Sequence, residues 1–107
     1  MKLITLDFET FYSDKFGLKS LTTEAYIRDE RFEVIGVGYK IDDGPSEWVA
    51  NHNDEVRKKL EQLPWDDALQ IGHNNKFDAA ILSWRYGIHP VTVSYTHLRA
   101  HETVLDL

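Results

Sequence analysis

Two acidic residues near the N-terminus, Asp7 and Glu9, have the type and spacing best suited to chemistry. They follow an apolar, β-branched run over residues 2–6 that is typical of a buried strand. Side chains two residues apart on a strand share a face, so both carboxylates point the same way, about 7 Å apart. Their repulsion is relieved if one is protonated or if they share a divalent cation. Alternatively both lie in solvent at a strand end, since acids disfavour strand interiors.

A second polar run, Gly72-His73-Asn74-Asn75-Lys76-Phe77-Asp78, crosses from a strand end into the start of a helix. In α/β proteins, ligands usually bind beyond the carboxyl ends of strands. Asp78 falls in the first helical turn, where the helix dipole favours a carboxylate. Taken alone, Asp78 could be an ordinary helix-start acid, and His73 a structural histidine.

The first half of the chain predicts the strands that carry the acidic pair. The first strand ends near Phe8, and Thr22 caps a short helix that runs to residue 28. A second strand spans residues 32–41, and an Asp-Asp-Gly-Pro turn leads into a third over residues 46–50. Alternation in the second strand places four larger side chains on one face and two glycines on the other. The larger side chains are Ile35, Val37, Tyr39 and Ile41.

The second half predicts two helices around a short strand. The first helix begins at a cap on Asn53 and ends before Pro64, and a strand follows over residues 69–72. The second helix starts near Lys76 and stops at Gly87. Their predicted buried residues are Val56, Leu60 and Leu63 in the first and Phe77, Ala80, Ile81 and Trp84 in the second. The order of elements predicts an α/β fold with a mixed sheet flanked by helices.

Length, charge and composition narrow the classes of protein. A chain of 107 residues is at most one small domain, for which Trp48, Trp65 and Trp84 are large core candidates. The net charge of −6 argues against tight non-specific nucleic-acid binding, but not against a nuclease whose acids bind cations. The absence of cysteine excludes disulfides and thiolate metal sites. With no apolar run of about 18 residues and no signal-peptide pattern, we expect a cytoplasmic protein with no membrane partner.

Together the two polar runs resemble the first two motifs of the DEDD-type 3′→5′ exonucleases, a branch of the ribonuclease-H-like fold. Residues 6–10, Leu-Asp-Phe-Glu-Thr, resemble a strand carrying Asp-x-Glu-Thr, and residues 74–78 resemble Asn-x-x-Phe-Asp at a helix start. The segment between them resembles the proofreading domain of phage-type family A DNA polymerases. The resemblance covers about residues 1–92 and implies a truncated ribonuclease-H-like sheet.

The resemblance implies metal-dependent hydrolysis of phosphodiester bonds at a nucleic-acid 3′ end. Two divalent cations, Mg²⁺ or Mn²⁺, would activate a water and stabilise the entering and leaving oxygens. Asp7 would bridge both cations, Glu9 would hold the one with the attacking water, and Asp78 the other. The implied contacts to the terminal nucleotide are Thr10, His73 and Asn74, with Phe8 and Phe77 packed beneath. The implied partner is a single-stranded DNA 3′ end, and RNA is not excluded.

The family also has a third motif, which supplies one more acid and a Tyr or His that orients the water. His101 and Asp106 fit its His-x-x-x-x-Asp form. Residues 93–103, however, resemble a translation of the transposase adapter used in shotgun sequencing libraries. We therefore expect residues 93–107 to be a non-native tail and the match a coincidence. Residues 1–92 would be the N-terminal part of an exonuclease domain. They would lack the C-terminal exonuclease and polymerase segments, expose apolar surface and have feeble activity alone.

Two other classes of protein compete with the exonuclease hypothesis. The first is a non-catalytic ribonuclease-H-like scaffold, which has no need of three convergent acids. The second is a two-carboxylate hydrolase such as a glycosidase. Thr10 beside Glu9 and the Asn-x-x-Phe-Asp run give that class no support. Convergence of Asp7, Glu9 and Asp78 is the geometry that discriminates.

Overall fold

The computed structural model of the chain describes residues 1–90 and the backbone of residues 92–93. All but the first residue of the expected non-native tail, including His101 and Asp106, lies outside this part. The strands are β1 (Lys2–Thr10), β2 (Val34–Ile41), β3 (Glu47–Ala50), β4 (Ala68–Ile71) and β5 (Thr92–Val93). The helices are α1 (Thr23–Arg28), α2 (Glu55–Gln62) and α3 (Asn75–Tyr86), with a 3₁₀ turn over Trp65–Asp67.

The strands form one mixed sheet in the order β3-β2-β1-β4-β5. β1 and β2 are antiparallel, as are β2 and β3, whereas β4 runs parallel to both β1 and β5. Helix α3 connects β4 to β5, whereas the connection from β1 to β4 runs through α1, β2, β3 and α2. The predicted α/β class with a mixed sheet and helices is confirmed.

One face of the sheet carries the core. Ile4, Leu6 and Phe8 of β1 are all nearly inaccessible to solvent. The Phe8 ring stacks on Tyr86 of α3 with 6.0 Å between ring centroids. The Lys59 ammonium of α2 lies 5.8 Å from the ring centroid of Tyr39, the residue that pairs with Leu6 across β1 and β2. Both long helices therefore cover the face to which Leu6 and Phe8 point.

The opposite side of the sheet is the open face, which includes Leu3, Asp7, Glu9, Gly36, Gly38 and Trp48. Among residues 1–90 no helix packs over it, and Leu3 and Trp48 are 42% and 54% exposed. The Trp48 indole lies across Gly36, where a Cβ atom would overlap the ring and come within 2.7 Å of the Val49 carbonyl oxygen. Gly36 thus lets the Trp48 ring lie against the sheet.

The alternation predicted for β2 is wrong at Ile35. Thr10 pairs with Val34 and Glu9 with Gly36, so Ile35 is the extra residue of a β-bulge. The bulge breaks the period-2 pattern, leaving Ile35 49% exposed although Val37 is fully buried. The bulge lies beside the end of β1 that carries Glu9.

Two helix ends form as the sequence predicts and one does not. The Thr22 hydroxyl accepts a 3.1 Å hydrogen bond from the Ala25 amide at the start of α1, and Gly87 ends α3 with φ of 66°. The predicted cap on Asn53 is wrong. Asp54 occupies that position with a left-handed φ of 62°, and no side chain caps the helix.

Of the three tryptophans predicted to be in the core, only Trp65 is buried, where its indole donates a 2.6 Å hydrogen bond to the Leu60 carbonyl. Trp48 lies on the open face, and Trp84 of α3 is 38% exposed. The predicted buried face of α3 is rotated relative to the observed one. Its buried residues are Asn75, Asp78, Ile81 and Leu82. The buried Asp78 turns this face inward and leaves Trp84 at its margin.

None of the helices in the described part of the chain is long and apolar enough to cross a membrane.

Candidate functional site at the end of β1

The site forms where β1 extends beyond its parallel neighbour. β4 pairs with β1 from Ala68 to Ile71, the partners of Lys2 and Thr5, whereas β1 continues to Thr10. Past Thr5, the edge of β1 that faces β4 has no further strand residues to pair with. Because buried backbone amides need hydrogen-bond partners, another group must bind there.

Asp78 supplies that partner from the first turn of α3. Its Oδ1 accepts a 3.2 Å hydrogen bond from the Phe8 amide, 70 residues away in sequence, and the side chain is 2% exposed. Gly72 makes the approach possible. A Cβ atom on this glycine would lie 2.8 Å from the Leu6 carbonyl oxygen and 3.5 Å from Asp78 Oδ2. The predicted helix-start acid is therefore attached to the strand that carries Asp7 and Glu9.

Asp7 and Glu9 lie on the open face, where alternation with the buried Leu6 and Phe8 leaves both carboxylates exposed. Their cross-strand partners in β2 are Gly38 and Gly36. Beside Asp7 the sheet is open at Gly38, where a Cβ atom would lie 3.8 Å or more from its neighbours, whereas the Trp48 indole covers Gly36 beside Glu9. The shared face agrees with the i, i+2 prediction.

The three acids influence one another electrostatically. Burial raises the pKa of the Asp78 carboxyl from its usual 3.8 to about 7, while the hydrogen bond from the Phe8 amide acts to lower it. The negative charges of Asp7 and Glu9 also act to raise the Asp78 pKa, and the value of about 7 includes their effect. A nearby cation would counter both the desolvation and the repulsion. The site therefore holds a carboxyl that is about half protonated at neutral pH beside two exposed acids.

The chemistry of this donor set fits a hard divalent cation, because Mg²⁺ and Mn²⁺ prefer carboxylate oxygens. Within the described residues, however, no three His, Asp or Glu side chains already form a group able to hold a metal ion. Asp78 turns one oxygen to the Phe8 amide, while Asp7 and Glu9 face solvent.

The other predicted site residues lie around the same strand end. Phe8 is buried and Phe77 is half-buried, in keeping with the packing role predicted for both. The Phe77 ring stacks on Tyr26 at 6.2 Å between centroids, and the Thr10 and Tyr26 hydroxyls are 2.8 Å apart. His73 and Asn74 are exposed in the turn before α3.

Sequence reasoning missed two residues that shape the site. Tyr26 of α1 is buried and joins Thr10 to Phe77, and it also donates a hydrogen bond to the Phe11 carbonyl. Gly72 permits the close crossing of β1 described above. A glycine between a predicted strand and a predicted helix was an available signal for close backbone approach, whereas nothing in the local pattern distinguished Tyr26 from ordinary core.

The described part of the chain thus gathers three carboxyl groups at one strand end, two exposed and one buried, with polar side chains in the adjoining turn. Comparison of the chain with protein-family models, with curated proteins and with solved structures yields no match.

Proposed function

We propose that this chain carries metal-binding acids of a 3′→5′ exonuclease and belongs to the proofreading part of a DNA polymerase. The observation that carries the proposal is the hydrogen bond from the Phe8 amide to Asp78, because Phe8 lies between Asp7 and Glu9. The acid of the second motif is therefore bound to the strand of the first. The mixed α/β sheet is compatible with the ribonuclease-H-like fold that the proposal requires.

In this proposal Asp7, Glu9 and Asp78 hold two divalent cations, Mg²⁺ or Mn²⁺. When bound, the cations activate a water and stabilise the entering and leaving oxygens of the phosphodiester. The Phe8 amide fixes one oxygen of Asp78 and leaves the other available as a ligand. Gly38, opposite Asp7, leaves room for a phosphate on the open face.

The substrate in this proposal is the single-stranded 3′ end of DNA, with RNA as the alternative. His73 and Asn74 are exposed next to the acids and offer ring nitrogens and an amide to the terminal nucleotide. Thr10 is positioned by Tyr26 at the same strand end. The C-terminal exonuclease and polymerase segments would be covalent partners in the cytoplasm of a phage-infected or bacterial cell.

The test is release of nucleotides from a single-stranded 3′ end in the presence of Mn²⁺. We expect weak release by the 107-residue chain and at least a hundredfold loss in Asp7→Ala, since removing a group that stabilises charge in the transition state costs about this much. Asp66→Asn is the control, because Asp66 is an exposed acid on the 3₁₀ turn. Equal release by the wild type and Asp7→Ala would contradict the proposal.

A non-catalytic ribonuclease-H-like scaffold is the second candidate, favoured by the lack of a ready three-ligand group among the described residues. Binding of Mn²⁺ to the native state raises the melting temperature by mass action. The exonuclease proposal therefore predicts an upward shift that Asp7→Asn removes. A scaffold predicts the same melting temperature with and without Mn²⁺.

A further inference from the structure

We propose that a groove between α1 and α3 binds the single strand upstream of its 3′ end, with Trp84 stacking on a base and Lys76 contacting a phosphate. The inference rests on the proposed exonuclease function and assigns a role to residues outside the acidic site. The α1–α3 groove is defined by Leu18, Asn74, Lys76, Phe77, Ser83 and Trp84.

The groove adjoins a second cavity that reaches Thr10 at the end of β1. Its cavity of about 760 Å³ shares Leu18 and Phe77 with a second cavity of about 340 Å³, and the second is lined by Thr10. Both volumes lie within the range of roughly 300–1,000 Å³ found for ligand sites. From Asn74 to Ser83 the groove follows α3 for about 14 Å, at 1.5 Å per residue. A strand whose end lies near Thr10 can therefore continue past Phe77 to Trp84.

Trp84 is displayed rather than packed. It lies outside the buried stripe of α3 and is 38% exposed. The Arg28 guanidinium lies 4.5 Å from the centroid of the Trp84 ring and also binds the Glu24 carboxylate at 3.1 Å. These contacts hold the indole against α1 while over a third of its surface stays exposed. A rigid aromatic ring of this kind suits stacking on a base.

The charge of the groove favours a nucleic-acid strand over a protein segment. The chain has 18 acidic residues and 12 basic ones, yet Lys76 is the one charged side chain among the described residues that line the larger cavity. Phe77 and Trp84 are seven residues apart on α3, which places them on one face about 10 Å apart along the axis. The two aromatic rings suit stacking on bases, and Lys76, which precedes Phe77 at the start of α3, suits contact with a phosphate.

The experiment measures binding of a 5′-fluorescein-labelled hexathymidylate to the 107-residue chain by fluorescence anisotropy, in EDTA and 50 mM salt so that no hydrolysis occurs. We expect Trp84→Leu, which keeps apolar bulk and loses the aromatic face, to raise Kd about tenfold. Trp84→Phe should recover most of the affinity. Lys76→Ala should reduce the slope of log Kd against log salt concentration by about 0.7.

Two matched variants serve as controls. Trp48→Leu removes the exposed tryptophan of the open face, and Lys58→Ala removes an exposed lysine of α2. Both should bind as the wild type does. Loss of binding in Trp48→Leu with no change in Trp84→Leu would overturn the proposal in favour of the open face. Failure of the wild type to bind the oligonucleotide would overturn it as well, as would a change of oligomeric state in Trp84→Leu, which indicates a protein partner.

Hydrolysis of the p-nitrophenyl ester of thymidine 5′-monophosphate separates this proposal from the exonuclease proposal, because that substrate is too short to reach the groove. Mn²⁺-dependent hydrolysis that requires Asp7, combined with unaltered oligonucleotide binding in Trp84→Leu, would refute the groove alone. Binding that depends on Trp84 with no hydrolysis of either substrate would support the groove and refute the exonuclease.

Discussion

The two faces of β1 differ in almost every respect although they belong to one nine-residue strand. Leu6 and Phe8 are at most 4% exposed beneath the helices, whereas Leu3, Asp7 and Glu9 lie on the open face. Burial of apolar area stabilises the fold on the first face, while the second carries exposed charge beside glycines. One face of the strand therefore stabilises the fold, and the other carries the groups of the proposed chemistry.

Asp78 joins the two regions at the edge of the strand. It comes from the helical layer, is as buried as the core, and shares the electrostatic field of the exposed pair. A carboxyl in that position is costly to ionise, and the proposed cations would offset the cost. The hydrogen bond from the Phe8 amide to Asp78 is therefore the point at which the buried face and the open face of β1 meet.

The largest expected effect comes from truncating the two leucines of β1. Leu6→Ala should reduce the free energy of unfolding by about 2–5 kcal/mol, because it leaves a cavity under the helices. Leu3→Ala removes the same atoms from the open face and should cost less than about 1 kcal/mol. Chemical denaturation measures both. Equal losses would mean that the open face is covered in solution and would abolish the distinction between faces.

The second effect is a dependence of stability on pH that comes from Asp78. The native carboxyl, with a pKa of about 7, keeps its proton between pH 4 and 7, where the unfolded chain has already released it. The stabilisation that this raised pKa gives the native state is thus fully present below about pH 4 and is lost as pH rises through 7. At 1.36 kcal/mol per pKa unit, the loss approaches about 4 kcal/mol by pH 8.

Asp78→Asn tests this effect, because the amide oxygen can still accept from the Phe8 amide while no charge forms. The variant should be as stable as the wild type at pH 4 and a few kcal/mol more stable at pH 8. Asp66→Asn, on an exposed acid, should give a flat difference across the same range. A stability difference between Asp78→Asn and wild type that does not change with pH would refute the raised pKa.

The third effect concerns the two glycines that β2 places on the open face. Gly36→Ala should cost about 1–3 kcal/mol, since the new methyl group meets the Trp48 ring and the Val49 carbonyl. Gly38→Ala is the matched control in the same strand. Its Cβ atom would lie 3.8 Å or more from its neighbours, so the change should be neutral or slightly stabilising. Thermal denaturation that ranks Gly38→Ala as the more harmful would show that the indole does not rest on Gly36.

Local patterns in the sequence were sufficient to predict much of the fold. The shared face of Asp7 and Glu9, the Thr22 cap and the Gly87 stop each depend on residues close in sequence, and each is confirmed. The exposed positions of Trp48 and Trp84 were not predicted. They depend on a glycine across the sheet and on the rotation of α3, and both are tertiary effects that override composition.

The candidate site, too, could be predicted from the sequence only in part. The shared face of Asp7 and Glu9 follows from the strand period alone. The bond from Asp78 to the Phe8 amide spans 70 residues and depends on β4 ending four residues into the β1 ladder, which no local pattern encodes. The role of Tyr26 was not predicted for the same reason, since its contacts to Thr10 and Phe77 connect three separate elements, α1, β1 and α3.

The smallest expected effect comes from the cap of α1, and it tests whether that helix is stabilised mainly by packing or by its capping hydrogen bond. Thr22→Ala removes the side-chain cap of α1 and should cost about 1 kcal/mol. Thr23→Ala, one residue on, changes an exposed threonine in the first turn of the helix and should be near neutral. Because α1 is only six residues long, its stability comes mainly from burial of Tyr26 and Ile27. A loss in Thr22→Ala as large as that in Leu6→Ala would mean that capping, and not the apolar contacts of the helices, holds α1 on the sheet.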